Sequence, residues 1–260
     1  MSRQRLDTLL TERGLAESRS AAAISIRAGL VRVGRGGERA LKPSQLVAPD
    51  IEVAVEAGRQ YVSRGGFKLE GALDALAIDP AGLDCLDVGA SNGGFTDCLL
   101  KRGAARVIAL DVGRGQLDWK LRGDERVISL EGINARRLRQ GWLPFAPQLA
   151  TIDVSFISLG KVLGPVANTL TPGGEILAMV KPQFELGPSR VGKGGVVRAR
   201  PDRLEAVRHA AADAAAVELN VLGVAAAGIE GPRGNREVFL RLGHGREQGD
   251  VEAMIEAAVE

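Results

Sequence analysis

Apolar and polar positions recur along this chain with two different periods, and the changes of period mark its elements. Leu6, Leu9 and Leu10 fall at helical spacing, and Gly14 stands where that helix would close. A second helix is predicted from Ser18 to Ala28, stopping at Gly29. Leu30 to Val33 then alternates as a strand does, and Ile51 to Val55 does so again after a glycine-rich turn. Beyond the middle of the chain the pattern changes to short, nearly unbroken apolar runs separated by helical stretches. Leu83 to Val88, a run ending at Asp111, Arg126 to Glu131, Leu149 to Asp153 and Glu175 to Val180 read as strands buried on both faces, as in a parallel sheet. Helices are predicted over 116–121, 158–170 and 201–219, then strands over 221–229 and 237–242 and a helix over 251–259. This alternation, closed by a strand pair, predicts an α/β fold with a Rossmann-like doubly wound sheet behind a small α+β module.

The stretch from residue 83 to 111 is the richest in chemistry. A buried strand, a glycine-rich turn, a helix and a second strand ending in an acid shape a nucleoside crevice at the carboxyl ends of the strands. Asp111 follows the turn by about twenty positions, where a carboxylate can accept the hydroxyls of a ribose. The turn itself, Gly89-Ala90-Ser91-Asn92-Gly93-Gly94, is not the G-x-G-x-x-G that seats a diphosphate, and Asp87 precedes it. Such a setting suits a cationic, phosphate-free adenosyl ligand such as S-adenosylmethionine. The residues expected to hold it are Asp87, Gly89, Ala90, Ser91, Asn92, Gly93, Gly94, Asp111, Val112, Glu131, Asn134 and Asp153.

Bulk properties narrow the function. The chain has 260 residues and a net charge of only +2, so any contact with nucleic acid must come from local clustering. Arg3, Arg5, Arg19, Arg27 and Lys42 supply such a cluster in the first module, with Ser20 beside them. Aromatics make up 3% of residues, which argues against a broad base-stacking platform. Cys85 and Cys98 lie in apolar settings, and no His/Cys spacing suggests a metal. No apolar run approaches a bilayer span, so the expectation is a soluble cytoplasmic protein without membrane or metal partners, monomeric in the simplest reading.

Ionisable residues at strand ends are the candidates for catalysis, because that rim is where such sheets react. Asp153 and Lys181 occupy it. Lys68 lies on the helix entering the first strand, and Glu237 opens the last one. A ribose hydroxyl attacking a sulfonium methyl needs alignment and a proton acceptor, and no metal. A lysine can be that acceptor where desolvation and a neighbouring cation favour its neutral form. Lys181 is cast as the base, Lys68 as its cationic neighbour, and Asp153 and Glu237 as orienting groups. Phe156 stacks on a splayed nucleobase or belongs to the core, and its sequence position fits both.

Two resemblances refine these expectations. Arg5-Leu6-Asp7, Glu17 to Ser20, Ile26 to Val33 and Lys42-Pro43-Ser44 resemble the ribosomal-protein-S4-like RNA-binding domain. The succession Ser63 to Leu69, Leu86 to Ser91, Gly93 to Asp97, Asp111 to Leu117, Asp153 to Ser158, Val180 to Glu185 and Gly231-Pro232 with Gly234 to Glu237 resembles the TlyA family over essentially the whole chain. That resemblance implies an S4-like domain at 1–58, a linker at 59–64 and an FtsJ-like class I methyltransferase domain at 65–260. It implies S-adenosylmethionine-dependent 2′-O-methylation of cytidine in ribosomal RNA, with Lys68, Asp153, Lys181 and Glu237 as the catalytic tetrad. The family's linker Arg-x-Trp-Val stands here as Arg59-Gln60-Tyr61-Val62. A non-catalytic ribosome-assembly factor and a haemolysin are the alternatives weighed, the first disfavoured by the intact tetrad and the second by the missing apolar span.

Overall fold

The computed structural model describes residues 3–16, 18–27, 30–40, 42–55, 61–187, 190–192, 194–231, 234–245 and 249–259. The chain divides into two compact units, Met1–Gln60 and Tyr61–Glu260.

In the first unit β1 (Gln4–Arg5) leads into α1 (Leu6–Glu12), followed by α2 (Arg19–Arg27), β2 (Val31–Val33), β3 (Glu38–Arg39), β4 (Leu46–Val47) and β5 (Val53–Val55). Strand β2 pairs antiparallel with β3 and β5, and β1 pairs with β4. Leu6, Leu9, Leu10, Ala22, Ile26, Val31, Val33 and Val47 form one small core. The Leu6, Leu9 and Leu10 stripe predicted from spacing is buried on α1. The two-residue pairing of β1 with β4 had no sequence signal, because such short strands carry too few positions for a period to register.

The second unit is a sheet of seven strands in the order β11-β12-β10-β9-β6-β7-β8. Its strands are β6 (Asp84–Val88), β7 (Arg106–Asp111), β8 (Val127–Glu131), β9 (Leu149–Ile152), β10 (Glu175–Val180), β11 (Asn220–Ala226) and β12 (Val238–Gly243). All neighbours are parallel except those of β12, which runs against β10 and β11. Helices α3 (Arg64–Ala75), α4 (Gly94–Lys101), α5 (Trp119–Arg122), α6 (Leu163–Ala167), α7 (Pro182–Glu185), α8 (Arg200–Ala215) and α9 (Val251–Ala258) complete it. Successive residues of each strand point to opposite faces. Leu86, Val88, Ile108, Leu110, Ile152, Ile176, Val180 and Leu240 therefore join one core with α6, α8 and α9, while Cys85, Val107, Ala109, Leu149, Leu177, Met179 and Phe239 join the other with α3 and α4.

Three predicted helices come out shorter. The one expected over 116–121 begins at Trp119, because Asp118 accepts the Lys120 amide (2.9 Å) and so caps it. The one expected over 158–170 splits into a 3₁₀ turn, Leu159–Lys161, and α6. Pro165 has no N–H and fits only a first turn, so the α-helix starts just before it. The one expected over 201–219 ends at Ala215. The turn α7 was not expected. Cys85 and Cys98 are buried free thiols, each pushed up to about 12 by loss of water.

Candidate active site

The carboxyl ends of β6, β7 and β9 open onto a cavity of about 600 Å³, lined among others by Gly89, Ser91, Asp111, Val112, Gln116, Asn134, Asp153, Ser155 and Phe156. Its floor is the turn after β6. Gly89 has φ +84°, and a Cβ there would run into the Asp153 carbonyl, so only glycine lets the β6 and β9 ends approach. Ser91 is also left-handed, at φ +49°, an unfavourable conformation for a residue with a Cβ. Its amide donates to Asp111 Oδ2 (2.8 Å), and the Gly113 amide donates to Oδ1 (2.6 Å). Each carboxylate oxygen thus takes one backbone amide. Each keeps a second lone pair for a ligand hydroxyl.

Not every residue expected at this cavity is on its wall. Asp87 is the clearest correction. It follows Cys85 by two and so faces α3 and α4, fully buried, where Oδ2 accepts from the Thr96 amide (2.9 Å) and hydroxyl (2.7 Å) and Oδ1 from Thr151 (3.3 Å). Burial, reinforced by Asp153, pushes its carboxyl up to about 7 against these hydrogen bonds. Gly93 and Gly94 serve packing: a Cβ on Gly93 would strike Leu117 and Leu121, and one on Gly94 would strike Ser63 and the backbone of Gly65 and Gly66. Ala90 belongs to the core under α3 and α4, and the Asn92 carbonyl takes the Asp118 amide (3.2 Å). Glu131 accepts from the Gly115 amide and pairs with Arg122, which hold its carboxyl below the usual range. It shapes the loop after β7 and does not line the cavity.

The four candidate catalytic residues form two ion pairs. Lys68 pairs with Glu237, both buried. Lys181 pairs with Asp153 Oδ1, a contact of opposite charges outside hydrogen-bond alignment, and donates to Ser155 Oγ (3.0 Å). Each position has a cause in the fold. Lys68 sits on the buried stripe of α3 with Leu69, Ala72 and Leu73. The antiparallel register sets Val180 opposite Val238, so Lys181 and Glu237, one residue further out, meet at the same rim. Gly231 leaves the space the Glu237 carboxylate fills. Of the four, Asp153 is on the cavity wall, whereas Glu237 lines a separate cavity of about 240 Å³ beside Arg236.

Phe156 lies outside the core. It is 90% exposed at φ +64°, with its ring 5.1 Å from that of Phe184. In the first unit, Arg5 bonds Asp7 through Nε (3.0 Å) and Nη2 (2.7 Å), and Arg19 stands 3.8 Å from the same carboxylate. Asp7, held below its usual range chiefly by Arg5, therefore draws two candidate RNA-binding arginines together. Arg3, Ser20 and Lys42 are exposed, while the Arg27 side chain and the linker pair Arg59-Gln60 fall outside the described residues. Tyr61 is buried in the second unit, where its hydroxyl donates to Glu70 (2.8 Å). Ser155, Gln116, Lys161 and the two threonines around Asp87 were missed by sequence reasoning. Only Ser155 had a usable signal: two positions beyond Asp153, it is level with Lys181 in the extended β9–β10 register. Among the described residues no metal-holding cluster occurs, and no helix is long and apolar enough to cross a membrane.

A doubly wound sheet with β12 reversed, an acid at the end of β7 and paired lysines at its rim define a methyltransferase. The FtsJ-like methyltransferase family matches residues 61–244, and the S4 domain matches residues 4–53. The 16S/23S rRNA (cytidine-2′-O)-methyltransferase TlyA of Mycobacterium tuberculosis is 46% identical over 92% of this chain and 90% of its own. The YqxC protein of Bacillus subtilis is 42% identical over 94% of this chain and 88% of its own. A hemolysin-named protein of Streptococcus thermophilus, of solved structure, covers all of this chain and 95% of its own at 39% identity and a TM-score of 0.75. The chain belongs to the TlyA family of S4-domain, FtsJ-like methyltransferases.

Proposed function

We propose that this protein methylates cytidine 2′-hydroxyls in ribosomal RNA, with S-adenosylmethionine as donor, in the cytoplasm where ribosomes are made. Residues 1–58 capture RNA, 65–260 perform the chemistry, and 59–64 join them. The observation that carries the reading is the pair of lysine–carboxylate contacts at the rim beside the cavity.

The cavity residues fit the donor. The two free lone pairs on Asp111 suit the ribose hydroxyls of an adenosyl group, and the apolar Val112, Ile133 and Ala135 suit its base. Asp153 offers negative charge towards a cationic ligand. Bound there, the donor supplies an electrophilic methyl whose bonding pair returns to sulfur as the hydroxyl oxygen takes the carbon. The chain's own residues do the rest. Lys181, in its neutral form, accepts the hydroxyl proton. Asp153 then neighbours the resulting ammonium, which stabilises charge as it develops. The Lys68–Glu237 pair supplies fixed charges at the same rim as Lys181. Phe156 stacks on the target base and holds its sugar in line. Arg5 and Arg19 contact RNA phosphate.

The test is methyl transfer to rRNA with the purified protein, followed by mapping of the modified sugar. Lys181→Ala should abolish transfer while binding S-adenosylmethionine with parental affinity and retaining the parental fold by circular dichroism. Transfer undiminished in that variant, or none by the parent, would overturn the reading.

A further inference from the structure

Lys181 has more than one partner, and the second is unassigned. A charged lysine carries three N–H donors and no acceptor, whereas its neutral amine has two N–H bonds and one lone pair. To accept a proton in alignment, that lone pair must point at the hydroxyl. A fixed partner on one N–H bond and a second anchor on the amine narrow the directions left to that lone pair.

The structure supplies one hydrogen bond and one charge contact. Nζ of Lys181 lies against Asp153 Oδ1 and donates to Ser155 Oγ at 3.0 Å. Both partners line the cavity. Both sit on one segment, the chain leaving β9, whose register with β10 brings Ser155 level with Lys181. A ring contact reinforces this: Phe156, next to Ser155, has its ring 5.1 Å from that of Phe184 on α7, which begins directly after Lys181. The segment 153–156 and the segment 181–184 are thus tied at three points, two of them on the lysine amine. Phe156 is left-handed and 90% exposed, so Ser155 is held next to a solvent-facing ring.

We infer that Ser155 is a positioning residue of the proton transfer. It takes one N–H bond of neutral Lys181 while Asp153 holds the amine by charge, and together they turn the lone pair towards the substrate hydroxyl. The proton passes from the hydroxyl to Nζ, and Ser155 neither gives nor receives it. This inference rests on the function proposed above, with Lys181 as base.

The experiment compares steady-state methyl transfer by the full-length parent, Ser155→Ala and Ser155→Thr, with thermal midpoints alongside. Losing one hydrogen bond to a group that becomes charged should lower kcat by about 10- to 100-fold. KM for rRNA and for S-adenosylmethionine should stay within a factor of two or so of the parent, and Ser155→Thr, which keeps the hydroxyl at an exposed site, should recover most of the rate. A residue that only supports the loop would lower the thermal midpoint or raise a KM instead. Parental kcat in Ser155→Ala, a change confined to KM, or a threonine variant as slow as alanine with an unshifted midpoint would each overturn the inference. A parent that transfers no methyl group would instead overturn the proposed function, so the two failures are distinct.

Discussion

Asp87 makes a quantitative test of how the sheet is built. Its carboxyl is fully buried between β6 and α4, and its value rises from 3.8 to about 7 although three hydrogen bonds favour the anion. Loss of water outweighs them. Because the folded value lies above the unfolded one, folded protein keeps the proton between the two values while unfolded chain has released it. The contribution to stability is complete below about pH 4 and is lost as pH rises through about 7. At about 1.4 kcal/mol per pH unit, the span corresponds to at most about 4 kcal/mol. Asp87→Asn removes this titration and keeps an acceptor for the Thr96 amide. Urea unfolding of parent and variant at several pH values between 4 and 8 measures it. The difference between them should shift steadily in favour of the variant as pH rises, then level off near 7 to 8. Parallel stability curves over that range would show that the carboxylate is ionised throughout, its threonine partners having offset the desolvation.

Further outcomes follow from the same geometry. Lys68→Met strands the buried Glu237 carboxylate and should cost about 3–5 kcal/mol in urea unfolding, most of it recovered in Lys68→Met/Glu237→Leu; additive losses in the double variant would refute a buried pair. Asp111→Asn turns an amide N–H₂ towards one of the two backbone donors it now accepts, so affinity for S-adenosylmethionine in calorimetry should drop at least about tenfold. Unchanged affinity would remove Asp111 from the cofactor site. Phe156→Gly relieves a left-handed residue that buries almost nothing, so it should stabilise the fold by about 1 kcal/mol and still slow methyl transfer, with cofactor affinity unaltered. Parental turnover in that variant would make the ring irrelevant to substrate.

The Asp87 and Gly94 results explain what a linear reading misses. The turn after β6 looks like one ligand-binding device, yet only Gly89 and Ser91 reach the cavity wall. The other glycines fit side chains of Leu117, Leu121 and Ser63, residues far enough away in the chain that no local pattern announces them. Likewise Asp87 seems to face a ligand until strand alternation is followed from Cys85, which sends it to the face covered by α3 and α4.

By itself the sequence determined the order of the large sheet's strands and its longer helices, the small basic module ahead of them, and the acid placed to meet a ribose, because each is written in local period and spacing. It also carried the residue types of the tetrad. Only the tertiary structure decided who pairs with whom: Lys68 with Glu237, and Lys181 with Asp153 and Ser155. Those contacts depend on the reversal of β12 and on registers between strands far apart in the chain. Pairing across a sheet is a property of two segments at once, and no single stretch of residues contains it.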